Sequence, residues 1–261
     1  MSASAAIAEV RSVLAGDPVY MAGSLVAAEA YGLPDAWSDV DLFCPTDHVL
    51  IATIQKLLLN DYELDDRFKR VWQRWLRYGF KRWHTNSIRL HSPLGVEVNL
   101  VYKLSDGHPT TSLAQVIESF DFGLLGVGYD LEVDTFRDMR SYLFPGTDLV
   151  GTTALPLMPN KRDTWRNGFI SQYNGLREAG RYAKYHGYGY DMSLVKDDLV
   201  TGYWSAASYL ADTFDEDKHQ LGKIYEVIAE KIDDDQIAEL TEAYKELDYK
   251  DSLDQIMETL E

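Results

Sequence analysis

The sequence predicts an α+β chain in two parts: strands with flanking helices over residues 1–145, then an all-α domain over 161–261. Three observations carry this. Short apolar runs alternate with segments of helical period as far as about residue 130. "FPGTDLVGTTALPLMPN", residues 144–160, is rich in Gly, Pro and Thr and reads as a linker or long loop. From Lys161 onward a 3.6-residue period dominates, enough for about four or five helices.

Taken in order, residues 4–15 set Ile7, Val10 and Leu14 at helical spacing, with Gly16 as a stop. "PVYMA" predicts a strand, Gly23-Ser24 a tight turn, and "SLVAAEAY" a helix ended by Gly32. "LPDAWS" is a loop and "DVDLFC" a second strand. Thr46 or Asp47 can cap a helix running to about Leu59. A basic stretch begins as a helix near Phe68 and turns extended near Asn86. "NSIRLHSPLGVEVNLVYK" predicts two strands around the "SPLG" turn. "SLAQVIESF" is a short helix and "FGLLGVGYD" another strand.

Composition narrows the function classes. The 261 residues are 46% hydrophobic, enough to bury a sizeable core. No apolar run approaches the roughly 20 residues of a membrane span, so no membrane partner is expected. The N-terminus lacks the charge and apolar run of a signal peptide, and the single cysteine, Cys44, excludes an intrachain disulfide. A cytoplasmic location is the expectation. The six histidines show no zinc spacing, and no Gly-rich Walker-type loop occurs.

Net charge is −17, unevenly spread. Residues 67–91 hold eight Lys or Arg and no acid, which leaves the remainder at −25. From Asp212 onward 17 acidic residues face 5 basic ones. Such a chain disfavours long duplex DNA, because each phosphate contact needs a cation. The basic stretch interleaves its charge with Trp72, Trp75 and Trp83. It suits either a short strand of nucleic acid or a solvated helix face.

Within "DVDLFC", Asp39 and Asp41 share one face of the strand, and Val40 and Leu42 share the other. Two carboxylates side by side repel each other, and a divalent cation removes that penalty. Magnesium takes oxygen ligands, usually one or two carboxylates, and leaves positions for substrate phosphates. Upstream, Gly23 lets a ligand approach the backbone, and the helix after it offers free N–H groups to a phosphate. Ser24 adds a hydroxyl. The alternative reading makes Ser24 a helix cap and the two aspartates a solvated strand end.

This order, Ala22-Gly23-Ser24, fourteen intervening residues, then Asp39-Val40-Asp41, resembles the signature of the nucleotidyltransferase superfamily, the polymerase-beta-like fold. The resemblance covers roughly residues 15–130. It implies a small mixed sheet with flanking helices, one or two Mg2+ ions held by Asp39 and Asp41, and a nucleoside triphosphate (NTP) at Gly23 and Ser24. It also implies a third carboxylate on a neighbouring strand. That strand is "GVEVNLVYK", where Glu97 is the candidate and Asn99 shares its face. The family more often carries aspartate at this place.

Lys103 and Arg89 are candidate phosphate contacts on the neighbouring strands. Arg177, Arg181 and Lys184 form one helix face in the second part, where they can meet a nucleotide or simply solvate the surface. The pattern around Lys184 is also similar to that of phage-encoded members of the superfamily. The resemblance implies transfer of a nucleoside monophosphate to an acceptor hydroxyl. Small molecules, protein side chains and short RNA ends all stay open as acceptors. A nucleotide-binding or partner-binding module with a weakened site is the alternative.

Overall fold

The computed structural model describes residues 1–66, 68–69, 85–105, 108–147, 151–159, 181–182 and 184–195. The chain divides into two compact units, Met1–Thr152 and Thr153–Glu261.

The first unit is a mixed α/β structure. Helix α1 (Ala3–Leu14) opens at Ser2, whose hydroxyl accepts from the Ala5 N–H. Strand β1 (Tyr20–Ala22), helix α2 (Ser24–Ala30), strand β2 (Val40–Phe43) and helix α3 (Asp47–Leu58) follow. Thr46 caps α3 by accepting from the Val49 N–H at 3.1 Å. Next come β3 (Glu63–Leu64), β4 (Thr85–His91), β5 (Glu97–Ser105) and β6 (His108–Pro109). Helix α4 (Leu113–Glu118), a 3-10 turn (Gly123–Leu125), the hairpin β7 (Val127–Asp130) and β8 (Thr135–Asp138), and the short helix α5 (Arg140–Leu143) complete it.

Seven strands run in the order β3-β4-β5-β2-β1-β7-β8, and β6 pairs with the end of β5. Among the described strands of this unit, β2 and β5 pair in parallel and the other pairs are antiparallel. The "SPLG" turn between β4 and β5 places Gly95 at φ +78°, and Ser92 accepts from the Leu94 and Val96 N–H groups. The hairpin therefore needs its glycine.

Pairing and pleat together divide the central strands into two faces. Met21, Val40, Leu42, Ile88, Leu90, Val98 and Leu100 make one of them and are wholly buried. Each such side chain contributes about 1.5–3 kcal/mol through burial. The other face carries Tyr20, Ala22, Asp41, Phe43, Arg89 and Asn99. The segment around α4 covers one end of it. Tyr20 donates to the Thr111 carbonyl, Phe43 meets Phe120 edge-on at 5.7 Å, and Leu113 lies against Gly128. The Asp41 end of the same face is polar. Helix α2 packs on β1 and β7, α3 on β5, and α1 on α2 and α3.

Three of the described strands, β3, β6 and β8, are not foreseen by the sequence. In β8 the side chains are mostly exposed, and "TFRD" has no alternation to betray it. β6, like β3, is two residues long.

In the second unit, Thr153 bridges to Asp191 in parallel, and the Ala154 N–H donates to the Asp191 carbonyl at 2.8 Å. Residues 181, 182 and 184–187 are helical, and Tyr185 packs edge-on against the buried Tyr190. Phe68 and Lys69, at the start of the basic stretch, and residues 193–195 are also helical; the rest of the basic helix, the remaining predicted helices of 161–261 and Arg177 lie outside the described residues.

Candidate functional site

The polar end of the sheet face is built by three adjacent strands. Asp41 on β2 is the parallel-register partner of Asn99 on β5, and Asn99 is the antiparallel partner of Arg89 on β4. Arg89, Asn99 and Asp41 therefore form one row across the sheet. Asp39 precedes the first residue of β2 and points to the same place. The Asn99 side-chain nitrogen, Nδ2, donates to Asp39 Oδ2, and it lies 3.4 Å from Asp41 Oδ1. One amide nitrogen thus bridges both aspartates. All four side chains are half-buried.

The row continues outward. Arg89 Nε donates to Asn99 Oδ1 at 3.2 Å and pairs with Glu97 Oε1 at 2.9 Å. Ser38 donates its hydroxyl to Asp39 Oδ1 at 2.5 Å. An arginine donates only, so the oxygen of the Asn99 amide must face it. The nitrogen is then left for the carboxylates, which accept only.

Gly23 closes the other side. β1 pairs with β2 so that Ala22 stands opposite Asp41. The chain then turns through Gly23 at φ +96° and ψ −160°, a conformation essentially reserved for glycine. A Cβ at Gly23 would stand 2.6 Å from Asp41 Oδ2. The turn thus brings bare backbone against the carboxylate. Ser24 is the first residue of α2 and is 4% exposed. It is not the cap of that helix: Gly23 holds the cap position, and no side chain bonds there.

The donor set fits a divalent cation in part. Asp39 and Asp41 already share one polar hydrogen donor, the arrangement a cation between them would take over. Two carboxylates with open positions for phosphate oxygens and water suit magnesium. The third carboxylate is less available, since Glu97 is engaged by Arg89 and Asn99 stands beside the aspartates in its place. Among the described residues, no three His, Cys, Asp or Glu side chains converge as a metal-holding group.

No known protein-family model matches the chain, and no curated protein matches it.

Of the residues named from sequence, Gly23, Ser24, Asp39, Asp41, Arg89 and Glu97 lie in or beside this row. Lys103 sits on β5 opposite Thr85, and its side chain lies outside the described residues. Arg181 and Lys184 belong to the second unit, where the Lys184 ammonium lies 5.7 Å from the Tyr188 ring centre. Ser38, and the contact that Asn99 makes with both aspartates, are not foreseen by the sequence. Ser38 has only its adjacency to Asp39 as a signal. The bridging role of Asn99 depends on strand register, which local sequence does not carry.

No helix among the described residues is long and apolar enough to cross a membrane.

Proposed function

We propose that the chain is a magnesium-dependent nucleotidyltransferase, moving a nucleoside monophosphate from an NTP to an acceptor hydroxyl. The observation that carries this reading is the convergence of Asp39 and Asp41 on one amide nitrogen, directly beside the bare backbone of Gly23. Asp39 and Asp41 would hold the ion. When bound, it supplies charge neutralisation for the phosphates and for the leaving pyrophosphate.

The chain's own part is positioning and electrostatics, as is usual in phosphoryl transfer. Ser38 steadies the Asp39 carboxylate through its hydrogen bond. Gly23 has no Cβ to crowd the Asp41 carboxylate, and the Ser24 hydroxyl and the N–H groups of the turn would be the donors for a phosphate. Arg89 is the cation of the row and suits a phosphate oxygen at its outer edge. Lys103 on β5 is a further candidate for the triphosphate. The acceptor follows from charge: a small molecule, a protein side chain or a short RNA end, rather than long duplex DNA.

One observation favours a second reading. Asn99 stands beside the two aspartates and Glu97 is paired with Arg89. A site lacking its third carboxylate suits a module that binds a nucleotide, or a partner, without transferring it.

Label transfer separates the two. The protein is incubated with each α-labelled NTP, magnesium and cell lysate, and the products are digested with nuclease or protease. Transfer that disappears in Asp41→Asn supports the enzyme. Binding of the NTP without transfer to any acceptor supports the module.

A further inference from the structure

We infer that Asn99, held by Arg89, is an internal surrogate for the cation and limits the affinity of the Asp39–Asp41 pair for a bare divalent ion. This rests on the reading that the pair takes a cation at all.

The orientation of the amide is dictated by chemistry. Arg89 Nε lies 3.2 Å from Asn99 Oδ1, and a guanidinium has no acceptor to offer. Turning the amide over would set N–H against N–H at Arg89 and a carbonyl oxygen against two carboxylates. The NH2 group is therefore locked between Asp39 and Asp41, where it relieves their repulsion. Register makes the lock rigid: Arg89, Asn99 and Asp41 are direct partners on three neighbouring strands. Glu97 holds the guanidinium from the other side at 2.9 Å.

A bare ion must break the bonds from the amide to the aspartates and gains only two carboxylates. To add the Asn99 oxygen as a ligand, it must also part that oxygen from Arg89. An ion delivered on a triphosphate brings oxygen ligands of its own, and its phosphates can accept from the displaced NH2 group. The site is thus suited to an ion that arrives with its nucleotide. Toward the ion, Arg89 acts only by orienting the Asn99 amide.

The test uses Mn2+ alone as the probe, its binding to the full chain read by electron paramagnetic resonance. Wild type, Asn99→Asp and Asn99→Leu are compared after thermal melts confirm that each is folded. Asn99→Asp replaces the donor by a third carboxylate and should tighten Mn2+ by roughly tenfold or more. Asn99→Leu removes the donor and adds no charge; it too should bind Mn2+ more tightly than wild type. Adding Asp41→Asn to either should abolish the gain. Wild type binding bare Mn2+ as tightly as Asn99→Asp would overturn the inference. So would Asn99→Leu binding no better than wild type, since a plain loss of ligand then explains the site. A final arm adds a non-hydrolysable NTP. If both variants gain affinity but the NTP leaves wild type unchanged, the surrogate stands and the nucleotide reading falls.

Discussion

Gly23 and Asp41 are in contact range across the β1–β2 pair: a methyl group on Gly23 would lie 2.6 Å from Asp41 Oδ2. Space and backbone conformation exclude a side chain at the same residue, since φ is +96° there. Gly23→Ala should cost about 1–3 kcal/mol of stability from the strained conformation alone. It should also push the Asp41 carboxylate out of the row. Urea unfolding measures the first effect. A midpoint equal to wild type would mean that the turn is not as tight as described.

The Asp138–Arg140 pair predicts a pH dependence. Arg140 donates to both carboxylate oxygens, from Nε at 3.0 Å and from a terminal nitrogen at 2.7 Å, and its side chain is 11% exposed. The Arg140 hydrogen bonds hold the Asp138 carboxyl below its ordinary value of 3.8, against an opposing push from burial. A carboxyl depressed on folding stabilises the fold above its unfolded pKa. That contribution is complete above about pH 5 and is lost as pH falls through the folded value below 3.8. Asp138→Asn should therefore lower stability near neutrality by about 1–3 kcal/mol. The difference from wild type should shrink toward pH 3. Unfolding curves across pH check this; a difference that grows on acidification would contradict it.

Cys44 lies at the end of β2 and is 1% exposed. Burial pushes its thiol up to about 12, against the smaller pull of its hydrogen bond with Thr53. The thiol should resist a disulfide reagent at pH 8 in the folded protein and react at once in denaturant. Fast reaction of the folded chain would show that this part of the core opens readily.

Much of the first unit was legible in the sequence because its signals are local. Ile7, Val10 and Leu14 mark α1, Thr46 marks the start of α3, and Gly95 marks the β4–β5 turn. Strand period also foretold that Asp39 and Asp41 would share a side. The choice between Glu97 and Asn99 was not legible. Both stand on one face of β5, and the period-2 rule treats them alike. Only the parallel register, Asp41 beside Asn99, separates them. The β8 strand escaped for another reason: an exposed edge strand has no buried side to impose alternation on its sequence.

Asp39 and Asp41 are proposed to hold a cation for a nucleotide. The most direct measurement is calorimetric titration of a non-hydrolysable NTP into wild type, Asp39→Asn and Asp41→Asn, each with magnesium and with a chelator in its place. Each variant keeps a side chain of the same shape and should melt within a few degrees of wild type. Wild type should bind with magnesium, and affinity should fall at least about tenfold in either variant or with the chelator. Equal binding in all three proteins, with or without magnesium, would contradict this.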